Sequence, residues 1–178
     1  AGLPGVFDNA AGLGVAPDAL AKVTTRLGDL APLRAGIDQL VTTPPQSFGY
    51  YTGLIGDLLE VTRLLTHSGG EDAIAARLQA YRSLSLAKEL AGQERGLGNG
   101  FITAGRIPPD AYMGFARYLG AGDVLLQEFS KLDPALSSAT LKPFNEGPLY
   151  AEIQAFRQKM LQANGEAPLA GLNARDWF

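Results

Sequence analysis

No cysteine occurs among the 178 residues. That excludes disulfides, thiolate metal sites and cysteine nucleophiles. It leaves the compartment open, since periplasmic and cytosolic domains can both lack the residue. Histidine is nearly absent too, with His67 the single one. Ser-His-Asp chemistry would have to use it, yet no serine sits in a Gly-x-Ser-x-Gly setting. A lone histidine at a helix end reads as structural. Glu-x-x-His pairs are missing, which excludes a carboxylate-bridged metal bundle. The Gly-x-x-x-x-Gly-Lys phosphate loop is missing as well. Basic residues are in deficit, 15 Lys and Arg against 18 Asp and Glu, for a net charge of −3. That argues against nucleic acid as a partner. No apolar run approaches the ~18 residues of a membrane span. No signal peptide is visible. A chain that starts at Ala1 and stops at Trp177-Phe178 is compatible with a piece of a longer protein that carries either. No enzyme, metal or cofactor is expected.

What is present is helical period. Apolar residues make up 46% and charged residues 19%, enough for a real core. Residues 1–17 are rich in Gly, Ala and Pro and read as an irregular lead-in or a truncated remnant. Residues 18–178 read as a single helical domain. Pro17-Asp18 opens a helix on which Leu20, Val23, Leu27, Leu30, Ile37 and Val41 step by threes and fours. Arg34 fills the step between Leu30 and Ile37, and Pro32 predicts a kink or a restart. Thr42-Thr43-Pro44-Pro45 is a break, and a second helix from Gln46 or Ser47 runs to about Thr66. The third and longest helix covers roughly Asp72 to Ala104, a rod of about 50 Å. A fourth opens at Pro109, and Pro134 closes that region. Residues 137–148 are a loop or a short helix, and a fifth helix spans roughly Leu149 to Ala163. No segment alternates apolar and polar residues as a strand would. The expected fold is all-α, an antiparallel helical bundle with one long central helix.

The long helix carries two apolar stripes. Leu86, Leu90, Leu97, Phe101 and Ala104 form one. Ile74, Tyr81, Leu84, Ala91 and Ile102 lie nearly opposite, with Lys88 and Arg95 in their midst. This second stripe faces either the same chain or a partner subunit. Gly92, Gly96, Gly98 and Gly100 each cost helix propensity. They mark either a kink and early helix end near Gly98-Asn99-Gly100 or a close approach of another backbone or of a ligand. Arginine is always charged and forks onto planar oxyanions. Arg34 and Arg95 either pair with internal carboxylates such as Asp38 or Glu94, or hold a small anion.

The segment Lys88-Glu89-Leu90-Ala91-Gly92-Gln93-Glu94-Arg95-Gly96 resembles the signature of the nitrate- and nitrite-sensing (NIT) domain. Leu33-Arg34-Ala35-Gly36-Ile37-Asp38, Tyr51-Thr52-Gly53-Leu54-Ile55, Gly105-Arg106 and the closing Trp177-Phe178 look like the family's other landmarks. The resemblance implies an all-helical sensory input domain for nitrate, with nitrite as a second ligand, in bacterial signalling or chemotaxis. It implies Arg34 and Arg95 as the anion-binding arginines; beside them Glu94 and Lys88 are expected to orient Arg95 and add field. It implies a homodimer in a membrane-anchored receptor, the domain lying outside the cytoplasm, a cytoplasmic sensor being the other placement. Family domains also carry an upstream helix with a Glu-Arg pair, which residues 1–17 lack. The rival readings are a helical sensor for a carboxylate or amino acid, and a structural adaptor without a ligand.

Overall fold

A computed structural model describes residues 5, 9, 11–12, 14–65, 72–164 and 168–177. Seven helices are delimited among them, with no strand: α1 Pro17–Asp38, α2 Pro44–Leu65, α3 Asp72–Ala104, α4 Pro109–Leu132, α5 Pro134–Asn145, α6 Pro148–Gln162 and the short α7 Ala174–Trp177. The all-α helical-bundle expectation holds. No described helix is long and apolar enough to cross a membrane. His67 and Phe178 lie outside the described residues.

Proline starts five of these helices, because its missing N–H is unneeded in the first turn and its φ is already set. Pro44-Pro45 and Pro134 therefore begin helices as well as end what precedes them. Thr43 and Gln46 close a reciprocal cap at the head of α2. The Gln46 side chain accepts from the Thr43 N–H at 2.8 Å, and the Thr43 hydroxyl accepts from the Gln46 N–H at 3.4 Å. The helix thus starts at Pro44, two or three residues before the expected Gln46 or Ser47. Asp133 caps α5 through a single bond, accepting from the Leu136 N–H at 3.0 Å. α1 runs without interruption through Pro32. It stops where Leu40 turns to a φ of 59°. There the N–H groups of Val41 and Thr42 both return to the Gly36 carbonyl.

The chain divides into two compact units, Ala1–Arg82 and Ser83–Phe178. In the first, α1 and α2 form an antiparallel hairpin. Val15 and Leu20 pack on Val61, Leu64 and Leu65, so the start of α1 meets the end of α2. Val15 is 2% exposed, so the stretch read as a lead-in contributes a core residue. Farther along, the Arg26 guanidinium binds Asp57 at 2.5 Å and lies over Gly53, where a Cβ would meet it at 2.6 Å. Tyr50 donates its hydroxyl to the Arg26 carbonyl.

In the second unit the core is Ile102, Ile107, Phe115, Leu119, Met160, Ala163 and Leu169. Phe101 meets Phe115 edge-on at 5.6 Å. Tyr112 donates to the Leu161 carbonyl and ties α4 to α6. Ser130 and Ser137 bond across the α4–α5 corner at 2.7 Å.

Candidate functional site

The long helix α3 buries a face that, Ile102 apart, its large apolar residues do not mark. Within the second unit the buried positions are Ser83, Ala87, Gln93, Glu94, Gly98 and Ile102. All but Gln93 follow one line at steps of four or seven residues. The first expected stripe, Leu86, Leu90, Leu97 and Phe101, is half-buried. The second is largely exposed: Ile74 and Tyr81 are 53% and 60% exposed, and Lys88, Ala91 and Arg95 are exposed too. Small side chains let the helix pack on the Ser83–Gly98 line instead.

Glu94 lies on that buried line with 4% exposure. A carboxylate so placed needs a cation. It receives one from α6. Arg157 Nε donates to Oε1 at 2.7 Å and Nη2 to Oε2 at 2.5 Å, a bidentate fork. Nη1 also reaches Asp123 of α4 at 3.3 Å. Three helices meet at one guanidinium. Burial pushes the Arg157 pKa down, but the Glu94 hydrogen bonds and charge, with Asp123, outweigh it and hold it above the ordinary value. The Glu94 carboxylate is thus engaged by Arg157. Arg157 carries no motif of its own. The one signal for it was a glutamate in phase with Ser83, Ala87 and Gly98.

Arg95 follows Glu94, about 100° further round the helix, and is exposed. Its carbonyl oxygen accepts the Trp177 indole N–H at 3.0 Å. The same indole sits on Gly98, where a Cβ would lie 2.6 Å from Nε1 and 2.7 Å from Cε2. Phe156 of α6 packs against the indole at a tilt, with ring centroids 5.6 Å apart. The close approach at Gly98 is made by an indole side chain, not by the backbone or ligand expected. The helix neither ends nor restarts there. Gly92 and Gly100 have open space around them.

This contrast gives a paired expectation. Gly100→Ala recovers helix propensity and stabilises by roughly 1 kcal/mol. Gly98→Ala gains the same term but displaces the indole, which offsets the gain. Trp177 emission then moves to longer wavelength in Gly98→Ala and stays put in Gly100→Ala. Equal spectra for the two variants would contradict this packing.

Arg34 lies on α1 in the first unit and is exposed. It is in the electrostatic neighbourhood of Tyr50. Burial of the Tyr50 hydroxyl and then Asp29 push that phenol pKa up, while Arg26 and Arg34 pull it down. Lys88 is exposed on α3. Among the described residues, no cluster of acidic and imidazole groups is arranged to hold a metal ion.

A family model described as nitrate and nitrite sensing matches residues 7–178. No curated protein and no solved structure matches the chain.

Proposed function

The chain belongs to the nitrate and nitrite sensing family, and from that premise we propose that it is a sensory input domain that binds nitrate directly, with nitrite as a second ligand. The observation that carries the proposal is the extent of the match, which takes in nearly the whole chain and the Lys88–Gly96 segment. In this proposal Arg95 and Arg34 are the anion-binding arginines. Nitrate is planar, and a guanidinium offers it parallel N–H donors in one plane. Lys88 adds positive potential. Glu94 acts at a remove. Its buried fork with Arg157 fixes the rotation of α3, and that rotation turns Arg95 outward. Binding requires no bond to be made or broken, so the role is sensory and not catalytic. We place the domain in a bacterial membrane receptor, outside the cytoplasm and acting as a homodimer, with signalling or chemotaxis as its output. A ligand shifts such a receptor only by its difference in affinity for two states.

Calorimetric titration in chloride-free buffer tests the proposal, with nitrate, nitrite and acetate as ligands. Nitrate is expected to give a saturable heat. Arg95→Ala should weaken it by about tenfold to a hundredfold, the worth of hydrogen bonds to a charged group. Undiminished nitrate binding by Arg95→Ala would remove Arg95 from the site. Heat with acetate and none with nitrate would make the domain a carboxylate sensor.

A further inference from the structure

The stretch of α3 around Arg95 is the weakest part of the helix by composition. Four glycines fall between Gly92 and Gly100, and each lowers the cost of leaving helical geometry. Something outside the helix has to fix its shape there. The segment Leu169–Trp177 does so from two points. The Leu169 N–H donates to the Gly105 carbonyl at 2.8 Å, just past the end of α3. Trp177 returns to the Arg95 carbonyl and lies on Gly98. Between these points Leu169 is buried and Leu172 and Ala174 pack against the core. Asn173 holds the last turn, its side chain accepting from the Arg175 N–H and its carbonyl from the Trp177 N–H. The segment is a strap laid along the last turns of α3, and its fastening is the residue that carries the anion-binding guanidinium.

We propose that Trp177 is a positioning residue for Arg95: the indole, seated on Gly98 and donating to the Arg95 carbonyl, fixes the turn that presents the guanidinium, so that anion binding at Arg95 and fastening of the strap are coupled. The proposal rests on reading Arg95 as an anion ligand. A backbone carbonyl has two lone pairs, so the Arg95 oxygen can serve both the helix and the indole. The backbone dihedrals that set its direction also set the Cα–Cβ bond from which the Arg95 side chain leaves. What holds the carbonyl holds the root of that side chain. Coupling is reciprocal: an anion that orders Arg95 tightens the strap by the factor by which the strap tightens the anion.

Trp177 is the only tryptophan in the chain, so its indole N–H gives one resonance in a nitrogen–proton correlation spectrum. Nitrate is titrated into the wild-type protein, with calorimetry run in parallel. The indole resonance is expected to move with the midpoint of the calorimetric curve. Trp177→Phe keeps a ring near Phe156 and loses the donor. It is expected to bind nitrate about fivefold or more weakly. Nitrate heat with a stationary indole resonance overturns the coupling and leaves the anion reading intact. Wild-type affinity in a folded Trp177→Phe does the same. No nitrate heat in the wild type removes the anion reading and the coupling with it. If Trp177→Phe does not fold, the wild-type indole titration decides alone.

Discussion

Replacing Glu94 with alanine is expected to destabilise the protein by about 3–5 kcal/mol, the usual loss when one member of a buried ion pair is removed. The loss is dominated by what remains. Arg157 keeps its charge in a site where its side chain is 15% exposed. Its remaining carboxylate partner in that fork is Asp123 at 3.3 Å, which is half-exposed and bound through a single nitrogen. Against a total stability of roughly 5–15 kcal/mol, such a loss lowers the melting temperature by roughly 10 °C. Urea unfolding measures it directly. The double variant Glu94→Leu/Arg157→Met removes both charges and should recover most of the loss, since apolar replacement of a buried pair is often neutral. A single Glu94→Ala change costing under 1 kcal/mol would show that the fork does not hold α6 to α3.

Phe115→Ala should have an effect of similar size for a different reason. The ring is 1% exposed at the centre of the second unit's core and meets Phe101 edge-on. Truncation leaves a cavity that the fixed helices around it fill only in part, at about 3–5 kcal/mol. Met113, two residues earlier, is 59% exposed. Met113→Ala should change stability by less than about 0.5 kcal/mol. Urea curves for the two variants test the rotation of α4 about its own axis. Comparable losses would mean that α4 presents another face.

Helix existence and order could be read from the chain because apolar residues at threes and fours are dense in α1, α2, α4 and α6. Boundaries were harder where a side chain and not the apolar pattern starts the helix. Thr43 and Asp133 begin α2 and α5 by capping, and the prolines that follow them look like breaks when read alone. The buried face of α3 departs most from the expected one. Hydrophobic size points to Ile74, Tyr81, Leu84, Ala91 and Ile102 as one covered stripe with Lys88 and Arg95 in its midst, of which Ile102 is buried and Leu84 half-buried while the rest are exposed. Burial follows Ser83, Ala87, Glu94 and Gly98 instead. A scale that ranks residues by apolarity cannot score a glycine chosen for an indole, or a glutamate matched by an arginine 63 residues away. The motif Lys88–Gly96 pointed to Arg95, and its exposed place follows from its phase against Glu94. Arg157 and Trp177, the two side chains that fix this stretch of α3, come from other parts of the chain; Arg157 carries no local mark, and Trp177 stands out only within the closing Trp177-Phe178 pair.

The small-residue face of α3 has one more consequence. Alanine and glycine lose no side-chain rotamers when covered, so ordering this face is cheap in entropy. The same lack of side chains removes the knobs that would lock one helix against another at a single axial register. A face of this kind slides more readily than one lined with leucine. Around Arg95 its register is then held by the charged fork at Glu94 and the indole on Gly98, and farther on by Ile102 and Phe101 in the core. A displacement of α3 along its axis has to release these contacts.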